Sequence, residues 1–485
     1  MEENERGDVK KWSSEGHAVI HFSFEKVCHT IGWGDLGSTR RCPLIPMPDF
    51  DGYEDVDMIV AKLPCGEKDV FRLQVHLVVA NLAVHRGKWD AEGKMDVVFV
   101  TQCPPMIEIF RCDDVVAEDG DRRFYRPEKW RLEKKVAMPV GPCGTSMPLL
   151  WDDEVTGFST TAAAKREAYA TVLYSSENYV CGAMVVAQTL IRSGTKRDLI
   201  LLHDDSISPP KLAALKTAGW KLRPITRIRN PKAITGSHNE YNYSKFRIWQ
   251  LTEYDKVVYI DPDVVVLNNL DVLFNFPQLS AAWDQGSDSD IVFNSGVMVI
   301  EPSSCTLGTI MTRIDEINSC NGGDQGFLNE FYRWWHPLPS SVNLLTLFWM
   351  NSTYGIRARN RATGSVPESI HYYDRVFDTF WADSTSHEPK KVHAVHYLGT
   401  KPWRCYRDYN CNWDDLYGRG YADDVTHTWW WRVHDGMNDE LKRFCGLTET
   451  RKVELEKMRD KARDLKFGDY HWRINVTDPR QFNTI

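Results

Sequence analysis

The chain has 485 residues, of which 42% are hydrophobic and 26% charged, and its formal net charge is -8. That length exceeds what one hydrophobic core usually serves, so two domains or one large domain with additions are expected; the apolar content leaves long disorder only to the polar first sixteen residues. The acidic balance argues against nucleic acid as a partner, and an anionic substrate would need a metal or a local Arg/Lys cluster to supply a positive field.

In chain order, Val70 to His85 reads as a helix with Leu73, Leu77 and Leu82 on one face. Around it, short apolar runs at Val97–Val100 and Met106–Phe110 stand among Pro43, Pro46, Pro48, Pro104 and Pro105. A small-residue connector within Phe158–Arg166 marks a seam. Beyond it the pattern alternates: strand Ala170–Tyr174, helix Tyr179–Ser193 closed by Gly194, strand Leu199–Leu202, helix Pro210–Ala218 closed by Gly219, strand Lys221–Ile225 and helix Tyr243–Thr252. Such alternation predicts an α/β fold with a mostly parallel central sheet covered on both faces. Next come the buried-strand run Lys256–Ile260, a strand from Ile291 to Ile300 interrupted by polar and small residues, a helix Phe327–Trp334, and a charged, exposed helix Glu449–Leu465.

Twelve cysteines without a Cys-x-x-Cys pair speak against zinc and are compatible with disulfides. For Cys405 and Cys411 a disulfide and two unpaired thiols both stay open. Three acceptor sequons, at Asn242, Asn351 and Asn475, fit the secretory pathway. No apolar run reaches the roughly eighteen residues that a membrane span needs, so an anchor or signal is expected to precede Met1, with the chain as the lumenal ectodomain.

The chemistry concentrates at Asp261-Pro262-Asp263, which follows the apolar run Lys256–Ile260. Ligands gather at the carboxyl ends of strands in open α/β sheets, and two ionised carboxylates there require a compensating charge. Oxygen ligands favour Mg²⁺, Mn²⁺ or Ca²⁺, and an added imidazole from His396 tilts the choice to Mn²⁺; a core histidine bonded to backbone is the alternative. Lys401 could stabilise charge on a leaving diphosphate, and Gly399 could let backbone approach it. Asn294 either bonds a sugar hydroxyl or satisfies its own loop. Asp324 and Gln325 either clamp sugar hydroxyls or, for Asp324, cap the following helix.

Taken together, Asn242-Tyr243-Ser244-Lys245, Asp261-x-Asp263, Phe293-Asn294-Ser295-Gly296, Gly323-Asp324-Gln325-Gly326 and His396-x-x-Gly399-x-Lys401-Pro402-Trp403 resemble glycosyltransferase family 8, the glycogenin-like retaining enzymes. The runs Lys401–Trp413, Thr171–Glu177, Pro43–Pro48 and Phe71–Gln74 look like the plant glucuronosyltransferases that decorate xylan. The resemblance implies a GT-A fold as a catalytic domain over 166–403, an N-terminal accessory region over 1–165 and a C-terminal extension over 404–485 packing on the catalytic domain. It implies Mn²⁺ or Mg²⁺ on Asp261, Asp263 and His396, and Lys401 on the diphosphate. Leu173, Ser175, Ser176 and Tyr179 would frame uracil and ribose, while Lys245, Asp284, Asn294, Asp324 and Gln325 would surround the donor sugar.

Asn321 stands where glycogenins carry an acidic residue, a change that suits an anionic sugar because an amide can donate to a carboxylate. The implied reaction moves glucuronate from UDP-glucuronate to the 2-hydroxyl of xylose in xylan or a xylo-oligosaccharide, by front-face displacement; a covalent route through Asp324 stays open. The expected place is the Golgi lumen, on a type II membrane protein that builds plant cell-wall hemicellulose. Arg247 first and Arg404 second are candidates for the sugar carboxylate. Trp334, Trp335, Trp381 and Trp429–Trp431 are candidate acceptor platforms. A different acceptor such as inositol phosphorylceramide, a different UDP-sugar, or an inactive sugar-binding protein are the alternatives.

Overall fold

Helix formation and strand pairing follow local signals closely in the computed structural model, which describes residues 18–37, 44–66, 68–138, 166–285, 292–346, 392–407, 411 and 424–464. The polar first sixteen residues, Pro43, the connector before Arg166, Asn351, Asn475 and Trp381 lie outside the described residues. Two compact units result. The first draws on Met1–Asp35, Cys42–Phe110 and Asp114–Val136, and the second on Leu36–Arg41, Arg111–Asp113 and Ala137–Ile485.

In the first unit, β1 (Met58–Lys62) is followed by α1 (Val70–Arg86), β2 (Asp96–Val100), β3 (Val115–Asp119), β4 (Arg122–Tyr125) and α2 (Lys129–Val136). The four-stranded sheet has the order β1-β2-β4-β3, with β1 and β2 parallel and the other pairs antiparallel. Asp69 caps α1 by accepting from the Phe71 N–H at 2.9 Å. Leu73, Leu77 and Leu82 are buried as their spacing predicts, and His76 is buried with them. Its Nδ1 faces the Arg72 carbonyl at 2.8 Å and its Nε2 accepts from the Met106 N–H at 3.0 Å.

Burial holds the His76 imidazole down at about 3, against an ordinary value of 6.5. The unfolded chain therefore takes up a proton below pH 6.5 that the folded unit refuses. Stability of this unit is complete above that value and falls as pH drops, by about 2 kcal/mol at roughly pH 5. Amide exchange of α1, corrected for intrinsic rate, should report this loss. Protection that stays level between neutral and mildly acidic pH would contradict it.

The second unit begins with β5 (Glu167–Leu173), α3 (Val180–Arg192), β6 (Asp198–His203), α4 (Pro209–Thr217) and β7 (Lys221–Pro224). It continues through β8 (Lys256–Ile260), β9 (Val264–Val266), β10 (Ser280–Trp283), β11 (Phe293–Ile300), α5 (Ser304–Thr312), α6 (Asp324–Phe331), β12 (His336–Leu338), β13 (Leu344–Leu345) and β14 (Ala394–His396). The helices α7 (Asp424–Asp435), α8 (Asp439–Lys442) and α9 (Glu449–Asp464) close the described chain. A seven-stranded sheet runs β12-β10-β11-β8-β5-β6-β7, and only β11 is antiparallel to its neighbours. Gly194 and Gly219 end their helices at φ +88° and +119°, the left-handed values that glycine tolerates.

Four expectations change. Residues Asn242–Gln250 wind as a 3₁₀ run rather than an α-helix. Their Tyr, Ser, Phe, Ile and Trp have modest helix propensity, and tertiary bonds such as Ser244 Oγ accepting from the Ile228 N–H set the winding instead. The helix predicted from Phe327 starts at Asp324, because Gly323 occupies the N-cap and the carboxylate sits in the first turn, where the helix dipole favours it. Strand β11 is continuous, although its register with β10 jumps from Ala281↔Met298 to Trp283↔Phe293 and leaves Asn294–Val297 outside that ladder. Helix α9 is not a wholly solvated helix: Arg451, Lys452 and Leu455 are buried, and Arg451 Nε donates to the Arg404 carbonyl at 2.9 Å.

Trp334, Trp335, Trp430 and Trp431 are also buried, so they are core residues rather than acceptor platforms. Their large apolar area gives more when packed than when left in a groove. Trp429 is half-buried against the same core.

Candidate active site

Every side chain of β8 is buried, and the strand delivers the chain to Asp261 at the carboxyl edge of the sheet. Pro262 then takes the second position of a tight turn, with the Val264 N–H donating to the Asp261 carbonyl at 3.2 Å. After the turn the chain leaves the main sheet for a three-stranded one of order β13-β14-β9. There β14 runs antiparallel to β9 and pairs His396 with Val264, while the Tyr397 N–H donates to the Asp263 carbonyl at 3.0 Å. Strand pairing between distant segments thus sets an imidazole beside an acidic turn. One ligand atom from each of Asp261, Asp263 and His396 falls within 4.8 Å of the others.

Two glycines make this approach possible. A Cβ on Gly296 would lie 2.4 Å from His396 Nδ1, and one on Gly182 in α3 would lie 2.2 Å from the Pro262 carbonyl and 2.6 Å from Trp403 Cη2. Gly296→Ala is therefore expected to displace the imidazole and weaken divalent-cation affinity by roughly 10- to 100-fold, as loss of ligand support does elsewhere. Equilibrium dialysis reads this directly; unchanged affinity would contradict it.

Two lysines complete the charge pattern. Lys401 Nζ lies 2.7 Å from Asp263 Oδ2 and donates to the Tyr397 carbonyl at 2.5 Å. Lys245 Nζ lies 2.7 Å from Asp324 Oδ2 and 3.2 Å from Asp261 Oδ1, and donates to Ser295 Oγ at 3.1 Å. Burial pushes the Asp263 carboxyl up, but Lys401 and His396 overcome it and hold the group well below the usual range. Burial dominates at Asp261, whose carboxyl is raised despite Lys245. For Lys245, burial opposes the charge, yet Asp261 and Asp324 together hold its ammonium above the ordinary value. The buried Tyr259 hydroxyl donates to Asp261 Oδ1 as a further support.

Around this centre, Gln325 uses both ends of its amide: Nε2 donates to Asp284 Oδ2 at 2.8 Å, and Oε1 accepts from the Ser295 N–H at 3.2 Å. Asp324 Oδ2 also accepts from Ser295 Oγ at 3.0 Å, so its carboxylate faces the centre and does not cap α6. Asn294 Oδ1 accepts from the Gly296 N–H and from Asn343 Nδ2, both at 2.9 Å. Asn321 Oδ1 accepts from the Gly323 and Gly326 N–H groups and from Ser319 Oγ. The Asn321 carbonyl is thus committed to its own loop, and that of Asn294 to its own strand and to the distant Asn343. Gly399 takes φ +66° just ahead of Lys401.

At the end of β5, Ser175 adopts φ +61°, a left-handed conformation rare outside glycine. Its N–H donates to Asp204 Oδ2 at 2.9 Å, and Arg227 Nε lies 3.3 Å from the same oxygen. Ser176 Oγ accepts from the Asn178 N–H at 3.1 Å, and Tyr179 stands partly exposed with its ring edge-on to Trp403 at 5.9 Å. Leu173 packs its side chain in the core, so its backbone is the part that faces the site. Arg247 turns to the Thr226 carbonyl at 2.9 Å rather than joining Lys245, whereas the charge of Arg404 acts on the Tyr179 phenol.

Sequence reading missed Tyr259, Asp204, Arg227 and Asn343. Tyr259 looked like any strand residue and Asn343 had no motif around it; Ser295 lay inside a recognised motif without a role of its own.

Residues 170–406 match the family described as glycosyl transferase family 8, and residues 1–143 match the GUX1-5 N-terminal domain. UDP-glucuronate:xylan alpha-glucuronosyltransferase 2 of Arabidopsis thaliana is 50% identical over 98% of this chain and 79% of its own. Putative UDP-glucuronate:xylan alpha-glucuronosyltransferase 5 of the same plant is 41% identical over 100% of this chain and 85% of its own. Among solved structures, the glycosyltransferase GlyE of Streptococcus pneumoniae TIGR4 aligns with TM-score 0.37 and 18% identity, over 62% of this chain and 64% of that one.

Proposed function

The chain belongs to glycosyltransferase family 8, in the subgroup of the plant xylan alpha-glucuronosyltransferases, and on that premise we propose that it moves glucuronate from UDP-glucuronate to the 2-hydroxyl of xylose units in xylan, with retention at the anomeric carbon. It is a glycosyltransferase of GT-A fold. The observation that carries the mechanistic reading is the meeting of Asp261, Asp263 and His396 within 4.8 Å at the carboxyl edge of the sheet, flanked by Lys245 and Lys401.

Two carboxylates and one imidazole suit Mn²⁺, with Mg²⁺ as the harder substitute. When bound there, the cation would neutralise charge on the donor's diphosphate. Lys401, now paired with Asp263, supplies a second cation for the same charge as the bond from the anomeric carbon to phosphate breaks. The acceptor hydroxyl forms its bond on the face the diphosphate leaves, and the departing phosphate oxygen takes the proton. Asp324, held by Lys245 and Ser295, orients the sugar and steadies its developing positive charge. The same two partners disfavour Asp324 as a covalent nucleophile. Gln325, whose amide joins Asp284 to the Ser295 N–H, surrounds the donor sugar together with Asp284. Ser175, Ser176 and Tyr179 hold the nucleoside, and Arg404 rather than Arg247 reads the glucuronate carboxylate.

We place the reaction in the Golgi lumen. Disulfides Cys65–Cys103, Cys112–Cys305, Cys181–Cys445 and Cys405–Cys411 favour an oxidising compartment. Among the described residues, no helix is long and apolar enough to cross a membrane.

The test supplies UDP-glucuronate, UDP-glucose or UDP-galactose with Mn²⁺ and either xylohexaose or inositol phosphorylceramide. Product on xylohexaose from UDP-glucuronate alone, α-linked at the 2-hydroxyl by NMR, is expected. Preference for another donor, a β-linked product, or transfer to the lipid instead would overturn the reading.

A further inference from the structure

Outside the charged centre, one buried polar chain has no partner in the reaction and ends on a residue of the centre. Asn343 is fully buried, Asn294 is 7% exposed and His396 is 6% exposed. Their side chains touch in series: Gly296 N–H to Asn294 Oδ1 at 2.9 Å, Asn343 Nδ2 to Asn294 Oδ1 at 2.9 Å, and Asn343 Oδ1 to His396 Nδ1 at 3.1 Å.

The direction of each bond follows from the first. A backbone N–H can only donate, so the Asn294 atom that Gly296 meets is the carbonyl oxygen. The Asn343 atom facing that oxygen must then donate, which makes it the amide nitrogen. Its other end is therefore the carbonyl oxygen, and this end meets the imidazole. An acceptor against Nδ1 requires the proton to be on Nδ1, and neutral imidazole then carries its lone pair on Nε2. Nε2 is the atom that points at the centre, 3.3 Å from Asp263 Oδ1.

We propose that Asn343 is a positioning residue that locks His396 in the tautomer and ring orientation which present the Nε2 lone pair to a divalent cation, its own amide being aligned by Asn294 and the Gly296 N–H. The inference rests on the reading of Asp261, Asp263 and His396 as cation ligands. Asn343 has backbone reasons to stay in place as well: its carbonyl accepts from Gln285 Nε2 at 3.0 Å, and Gln285 Oε1 accepts from the Leu345 N–H at 3.1 Å. The side chain is thereby presented from an anchored main chain, and its amide can be altered without releasing that anchor. Gly296 plays two parts, since it donates the first bond of the chain and lacks the Cβ that would strike the ring.

The test measures Mn²⁺ affinity of the whole chain by electron paramagnetic resonance titration, without donor or acceptor, for the wild type, Asn343→Leu and Asn343→Asp. Leucine keeps the volume and removes the acceptor; aspartate keeps an acceptor for Nδ1–H. The expected result is a roughly 10- to 100-fold weaker affinity for the leucine variant, with the aspartate variant within a few-fold of wild type and the imidazole nitrogen coupling on bound Mn²⁺ retained. In turnover, the leucine variant should need more Mn²⁺ for half-maximal rate yet approach the wild-type kcat when saturated. Asn343→Ser, smaller and still polar, replaces the leucine variant should that one not fold. Affinity in the leucine or serine variant equal to wild type would overturn the proposal, as would an aspartate variant as weak as leucine. A wild type that binds no Mn²⁺ would overturn the metal reading beneath it, a result distinct from either.

Discussion

Asp263→Asn is expected to lower glucuronosyl transfer by roughly a thousandfold, since Lewis-acid stabilisation worth several kcal/mol is lost and each ~1.4 kcal/mol is tenfold in rate. Asparagine keeps the shape of the side chain, so the loss isolates charge. Asp263 is the carboxylate most firmly kept ionised, with Lys401 at 2.7 Å and His396 at 3.3 Å, and it joins the turn of the main sheet to the small one. Removing its charge leaves Lys401 and His396 without their anion and the cation with two ligands instead of three. The effect should fall on kcat and on the Mn²⁺ requirement together. A variant that keeps more than about a tenth of wild-type turnover at the same Mn²⁺ concentration would remove Asp263 from the metal set.

Lys245→Met should act first on stability. Lys245 is buried between Asp261 and Asp324, and taking away one partner of a buried ion cluster costs about 3 to 5 kcal/mol because the remaining charges are left uncompensated. Chemical denaturation without divalent cation should show a loss of this order. Saturating Mn²⁺ should restore part of it, because a ligand that binds only the folded state stabilises by mass action and here also replaces the missing positive charge. Turnover should stay depressed even where the fold is restored, since Asp324 loses the partner that orients it. Equal stability of the variant and wild type without metal would contradict the placement of Lys245 as the counter-charge.

Much of this arrangement could be read before any coordinates, and the reasons are local. The alternation from β5 to β8, the stops at Gly194 and Gly219, and the run Lys256–Ile260 ending in two acids depend on short-range pattern, which sequence carries well. The pairing of Asp263 with His396 depends instead on β9 lying antiparallel to β14, two segments separated by more than a hundred residues. Family likeness suggested that meeting; periodicity alone could not. Asn343 was invisible because a buried amide in a connecting segment has no spacing signal, and its role depends on which atoms it meets. The buried tryptophans show the opposite error, where residue type suggested contact with ligand and packing gave burial. For Asn321 the fold uses the side-chain carbonyl to tie the Ser319–Gly326 turn, a local role that the residue type did not indicate.

The central claim is that Asp261, Asp263 and His396 hold the divalent cation that meets the donor's diphosphate. Electron paramagnetic resonance of Mn²⁺ bound to the chain with UDP tests it most directly. The account predicts hyperfine coupling to one imidazole nitrogen and to phosphorus, with the nitrogen coupling alone lost in His396→Ala. Bound Mn²⁺ without nitrogen coupling, or with a coupling that survives the loss of His396, would contradict it.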